Sequence, residues 1–154
     1  MMRRWRTLGC LVPVGLTIGL LASATVHPGE TSVRLTVPSR VAAEAARRAA
    51  GDGSAAPPIL VLEGVEVASD EGLEITVLGP PREGGGPGPI LGSTAMVGSP
   101  QGPRVTRKFT LPIPLNDEGA KLVAGRSEVA LTLRTAGRRE PTPLKFDRAS
   151  FQEP

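Results

Sequence analysis

The residues Ile59–Val67, ILVLEGVEV, form the densest β-branched and aliphatic run beyond the N-terminus. Pro57 and Pro58 close the run on one side, and the polar turn Ser69-Asp70-Glu71-Gly72 closes it on the other. Such a segment predicts a β-strand. Strict two-residue alternation puts Ile59, Val61, Val65 and Val67 on one side, with Leu60, Leu62, Gly64 and Glu66 on the other. One face is thus apolar almost throughout, and Glu63 is its exception. A second alternating pattern follows at Leu73, Ile75 and Val77. The short connection predicts that the two strands pair as a hairpin.

The same two-residue period recurs along the chain. Val33, Leu35 and Val37 alternate with Arg34 and Thr36 until Pro38 ends the strand. The next stretch, 39–58, lacks the two-residue period. Arg40–Ala50 has helical composition, but alanine gives it no strong apolar stripe, and Gly51-Asp52-Gly53-Ser54 stops it. A linker or protruding loop is the expectation there, with a marginal helix as the alternative. Gly79–Pro89 is too rich in glycine and proline for a regular element and predicts a disordered surface loop.

Ile90–Val97 resumes as a strand whose middle, Gly92 to Ala95, has little volume. Another sheet or a partner can approach closely there; a weak strand beside a bulge fits equally. Val105, Arg107, Phe109, Leu111, Ile113 and Leu115 share one parity, with Pro112 and Pro114 on the other. Prolines at alternate positions point to an edge strand, and Arg107 on the inward parity calls for a rim position. Asn116–Gly125 reads as a turn and a short helix, and Ser127–Thr135 as a strand with Val129, Leu131 and Leu133 inward. Gly137–Pro141 reads as a charged hairpin loop before a last strand, Pro143–Phe151, with Leu144 and Phe146 inward. About seven strands with regularly spaced turns predict an all-β fold, a single antiparallel β-sandwich over 31–152 with one short helical segment.

The first 24 residues read differently. Arg3, Arg4 and Arg6 precede an uncharged apolar run from Leu8 to Ala24, ending in Ala22-Ser23-Ala24. That is the pattern of a cleaved secretory signal, followed by a flexible terminus at 25–30. The expected location is exported, periplasmic or extracellular, or membrane-anchored if the segment stays uncleaved. Cys10 stands too near the N-terminus for a lipid-attachment site. The chain's net charge of +3 equals the three arginines of this segment. The remainder is close to neutral, which disfavours nucleic acid as a partner. With the lone cysteine in the signal, the domain relies on its apolar core, built mainly of Val, Leu and Ile because only three phenylalanines and no tyrosine are present.

No set of residues suggests catalysis. His27 is the single histidine and lies in the expected flexible terminus, so neither a copper or zinc site nor a Ser-His-acid arrangement can be assembled. The catalytic, cofactor and metal site residues are therefore expected to be none, and no cofactor is expected. Glu66 and Glu74 would be neighbours across the predicted hairpin and superficially resemble an acid–base pair, but outward-facing surface acids are the plainer reading. Glu63 and Arg107, each polar on an inward parity, could pair at the rim. The glycines at 84–88 lack the lysine, hydroxyl and following helix of a phosphate loop.

The order of these pieces resembles the C-terminal β-sandwich domain of plant-type polyphenol oxidases, the tyrosinase and catechol oxidase family. The resemblance is tightest at Leu60-Val61-Leu62-Glu63-Gly64-Val65-Glu66-Val67. Ile90–Val97 looks like the family's alanine-glycine-serine-phenylalanine strand, with threonine in place of the aromatic. Arg107–Leu115, Asn116–Gly125, Glu128–Leu133 and Thr142–Phe151 follow the family's order of long strand, short helical segment, valine-rich strand and closing strand. The family's lysine-phenylalanine-aspartate-valine motif belongs where this chain has Gly72-Leu73-Glu74-Ile75, and Lys145-Phe146-Asp147 stands elsewhere. The resemblance places the family's copper domain before this one, where this sequence has the expected signal segment. The resemblance implies a non-enzymatic accessory domain that shields or stabilises a separately encoded copper oxidase subunit, with contacts around Ser93–Met96 and at Pro112 and Pro114. The alternative is a generic secreted or envelope β-sandwich for structural or adhesive interaction.

Overall fold

The computed structural model describes residues 29–99, 102–138 and 143–153. The expected signal segment, with Cys10 and His27, lies outside the described residues. Among the described residues seven strands and two helices follow in order: β1 (Glu30–Thr36), α1 (Ser39–Ala49), β2 (Ile59–Ala68), β3 (Leu73–Leu78), β4 (Ile90–Met96), β5 (Thr106–Pro114), α2 (Asp117–Val123), β6 (Glu128–Ala136) and β7 (Arg148–Phe151). They make two antiparallel sheets, one ordered β1-β6-β3-β4 and the other β5-β2-β7. The all-β sandwich is therefore the fold. Its core joins Leu60, Leu62, Val65 and Ile113 of one sheet to Ile75, Val77, Leu131 and Leu133 of the other.

The predicted β2–β3 hairpin does not form. β2 pairs with β5 and β7, whereas β3 pairs with β4 and β6. Ser69–Gly72 instead carries the chain from one layer to the other. Both strands have one buried face, and placing them in opposite layers turns those faces toward each other. The connection also lacks the Asn-Gly or Asp-Gly pair that favours a tight two-residue hairpin. The same correction applies after β6, because its successor β7 lies in the other sheet. The expected hairpin loop at 137–141 is an inter-sheet connection, and residues 139–142 lie outside the described residues.

The facing of β2 is also corrected. Leu60, Leu62, Val65 and Val67 are all buried, although simple alternation separates the first two from the last two. Leu62 stands opposite Leu111 and Val65 opposite Phe109. Glu63 and Gly64 together therefore oppose the single residue Thr110. This β-bulge adds one residue and reverses the parity of everything after it. Gly64 takes φ +69°, a backbone conformation that glycine supplies without a Cβ penalty. The freed backbone groups are met by the segment leading into β7: Glu66 N donates to Lys145 O (3.0 Å) and Asp147 N to Glu63 O (2.9 Å). Regular strand starts only at Arg148, later than predicted, though Leu144 is buried and Phe146 packs on the core as expected.

The expected linker at 39–58 contains α1 instead. Val41 and Ala45, one helical turn apart, are buried, and the helix packs on α2. Alanine supplies little apolar stripe, yet its small side chain allows close helix packing, which stabilises a segment too short to be stable alone. Arg48 reaches Asp117 of α2 (Nε to Oδ1, 2.9 Å) and the carbonyl of Ala55 (3.1 Å). The helix ends in a clasp: Arg47 Nε and Nη2 donate to Asp52 Oδ2 (3.1 and 2.6 Å), while the amide and hydroxyl of Ser54 donate to Oδ1. Ser54 first, and Arg47 second, hold the Asp52 carboxyl at about 2 against its ordinary 3.8. Because the folded value is the lower, the clasp's linked contribution to stability is complete above pH 3.8 and is lost as pH falls toward 2. A carbon-13 NMR titration should place the Asp52 midpoint near 2; an ordinary carboxylate midpoint would mean the clasp is open in solution.

The Gly79–Pro89 loop, expected to be disordered, is closed at its base, where Gly79 N donates to Pro89 O (2.9 Å). Gly88 lies so close to the Gly79 carbonyl that a Cβ would collide with it.

Candidate interaction surface

The two stretches singled out as contact surfaces lie on one side of the sandwich, where β4 and β5 form edges of their respective sheets. Pro112 and Pro114 are exposed in β5, opposite Val61 and Ile59. The edge position expected from the two prolines is therefore the observed one. Arg107 is exposed at the start of the same strand, opposite Val67, which is the rim position its charge calls for.

The small residues of β4 have two different roles. A Cβ on Gly92 would stand 2.6 Å from the Pro114 carbonyl oxygen, so this gap is already filled by the second sheet. A bulge also interrupts the β3–β4 ladder here, between Val77 and Leu78. Beyond Gly92, Ser93 and Ala95 are exposed while Thr94 and Met96 are half-buried.

Asn116 fastens β4 to the rest of the fold. Its backbone N donates to Leu91 O (2.7 Å) and its Nδ2 to Ile90 O (2.9 Å). Its Oδ1 accepts from Gly119 N (3.0 Å) and so caps α2. The sequence carried a signal for the cap, an Asn before Asp-Glu at a helix start, but none for the clamp on β4. Asn116→Ala should cost about 1–2 kcal/mol, the cap plus the partner of a carbonyl. Chemical denaturation would measure that loss, and hydrogen exchange should quicken at the Ile90 end of β4. Unchanged exchange in β4 would show that the side chain acts on α2 alone.

The acidic residues do not converge. Glu66 lies in β2 with Lys108 at 4.0 Å, whereas Glu74 lies in β3 of the other sheet. Placing β2 and β3 in separate layers thus removes the suggested acid–base pair. Glu63 stands opposite Arg148 of β7, while Arg107 pairs with Val67, four positions further along β2, so the two are not neighbours. Lys108 instead holds Asp147, at 2.9 and 3.0 Å from its two carboxylate oxygens. That contact raises the Lys108 pKa above its ordinary value. The triplet Lys145–Asp147, remote in sequence, thereby comes to lie beside the Glu63–Gly64 bulge.

A second charged group was not foreseen. Glu71, 9% exposed, is the buried acid of the inter-sheet turn. It accepts from Arg104 Nη2 (3.0 Å) and lies 3.9 Å from Arg138 Nε, while Asp70 meets Arg104 Nε at 3.3 Å. Two acids and two arginines balance there, as befits a fastening between connections. Separately, an apolar cleft of about 60 Å³ lies between α1 and the start of β2, lined by Val41, Pro57, Pro58 and Ile59 with Glu44 and Glu153 at its rim. It is far smaller than the roughly 300 Å³ of a small-molecule site. Among the described residues no three His, Cys, Asp or Glu side chains group as metal ligands.

No family model matches the sequence, and no curated protein matches it. Among solved structures, the fold is similar to part of a latent aurone synthase (polyphenol oxidase) from natural source, with a TM-score of 0.54 at 14% identity. The match covers 80% of this chain and 24% of the oxidase. The chain thus spans about a quarter of the length of the protein it matches. At this identity the likeness is one of fold, and it accords with the partial-domain resemblance carried by Leu60–Val67.

Proposed function

We propose that this chain is a non-catalytic accessory domain that packs on, and shields or stabilises, a separately encoded copper oxidase subunit of the polyphenol oxidase kind. The observation that carries this reading is the proportion of the match, four-fifths of this chain against a quarter of the oxidase. The matched fold is one part of that longer oxidase chain. Export through the N-terminal segment belongs to the same proposal, and it puts the encounter outside the cytoplasm.

The contact with the subunit is assigned to the proline-bearing edge of β5 rather than to the small residues at Gly92. The gap at Gly92 is filled from within by Pro114. Pro112 and Pro114 present a rigid exposed border that cannot pair as a regular strand. Such a border suits packing through side chains.

The test is capture of the tagged chain from its native host, with the bound protein identified by mass and assayed for copper. A stoichiometric copper protein is the expected result, and removing this chain should alter that protein's activity or its copper loading. Recovery of the chain without such a protein would overturn the proposal. It would leave a structural or adhesive β-sandwich as the reading.

A further inference from the structure

We propose that Asp52–Gly53 is a site of spontaneous isoaspartate formation which the native fold keeps closed through the clasp of Arg47 and Ser54. Of the aspartates and the one asparagine in the chain, Asp52 alone precedes a glycine. Glycine is the successor that favours this reaction most, because no side chain shields its amide nitrogen. Gly53 is exposed, and a Cβ built on it would meet no atom within 4 Å. The neighbourhood is therefore open.

The reaction needs only water. The Gly53 amide nitrogen attacks Cγ of Asp52 and a C–N bond forms. One carboxyl oxygen leaves as water, taking the amide proton and the carboxyl proton. The resulting succinimide then takes up water. Opening at Cγ restores aspartate, whereas opening at the former main-chain carbonyl leaves the chain running through Cγ, as isoaspartate. The carboxylate of that product sits directly on Cα, one atom shorter in reach than the group the clasp holds.

Two features of the structure oppose the first step. The departing oxygen must be protonated, yet both oxygens are held as a carboxylate. Oδ2 accepts from Nε and Nη2 of Arg47 at 3.1 and 2.6 Å, and Oδ1 accepts from the amide and hydroxyl of Ser54 at 3.0 and 2.5 Å. A carboxyl held at about 2 instead of 3.8 is protonated more than about tenfold less often at any pH above both values. The backbone is fastened as well. Asp52 N donates to Arg47 O and Ala55 N to Asp52 O, each at 3.1 Å, and Ala55 is buried. Ring closure requires the carboxyl and the Asp52–Gly53 peptide to turn toward each other, and both are tied. The site lies in the chain itself and does not depend on an oxidase subunit.

Prolonged incubation of the purified chain, native and guanidinium-unfolded, at the same pH tests the proposal. Peptide mapping with electron-transfer fragmentation measures isoaspartate at position 52. The native chain should accumulate it at least about tenfold more slowly than the unfolded chain. Arg47→Ala with Ser54→Ala removes three of the four donors and should raise the native rate toward the unfolded one. Arg47→Ala alone leaves the Ser54 contacts in place and should fall between. Both side chains are exposed, and circular dichroism of each variant should match the parent. Equal rates in the native and unfolded parent would overturn the proposal, as would an unfolded chain that forms no isoaspartate. So would folded variants that isomerise as slowly as the parent, which would put the protection in the backbone bonds of the turn alone.

Discussion

Gly64→Ala is expected to destabilise the domain by about 2–4 kcal/mol, the largest effect of any single-methyl addition in β2. Two costs combine. Gly64 sits at φ +69°, where an alanine Cβ is strained whatever space surrounds it. That Cβ would also collide with the Asp147 carboxylate, and Asp147 Cβ itself would be only 2.9 Å away. Asp147 cannot simply withdraw, since Lys108 holds its carboxylate and its amide donates to Glu63 O. The bulge, the entry to β7 and the β5 lysine would have to move together. For a domain of this size the thermal midpoint should fall by about 10 °C. In an Asp147→Ala background the added cost should shrink toward about 1–2 kcal/mol, the strain that remains when the carboxylate is gone. An identical cost in both backgrounds would show that the collision is relieved by local movement and that backbone strain alone is at work.

Leu62→Ala should cost about 3 kcal/mol, while Val61→Ala should cost less than about 1. Leu62 is fully buried at 0% exposure, and the residue it faces in β5 is Leu111. Truncation there removes transfer free energy and leaves a cavity between the sheets. Val61 is half-buried on the outer face, opposite Pro112 and Ser150. Plain alternation predicts the reverse order, with Val61 in the core. Urea denaturation of the two variants therefore reports directly on the bulge. A larger loss at Val61 than at Leu62 would mean that β2 runs without it.

Much of the architecture is legible from two-residue alternation. Leu35, Val37, Val129, Leu131 and Leu133 are buried in the core and Val33 packs half-buried against it, as the pattern requires. The prolines of β5 announce an edge because their missing N–H groups cannot serve a second ladder. Small residues in β4 announce close approach, and Gly92 meets the other sheet there. The start of α2 is readable because Asn116, Asp117 and Glu118 suit an N-cap and first turn.

What escapes the sequence depends on residues far apart in the chain. Glu71 with Arg104 and Arg138, and Lys108 with Asp147, meet only after the layers have formed. α1 illustrates the same point on a helix. Its composition is permissive but its apolar stripe is thin, and packing on α2 with the Arg48–Asp117 contact makes it an element rather than a linker.

The sequence by itself determined where the strands lie, that the class is a β-sandwich, and that β5 belongs at an edge. Those features follow from local side-chain volume, backbone donors and a period of two residues. Only the tertiary structure decided which layer each strand joins, which face of β2 is buried, and that the edges of β4 and β5 share one side. Pairing partners compete across the whole chain, and a single extra residue at Glu63–Gly64 reverses every later position without altering the local pattern that predicts a strand.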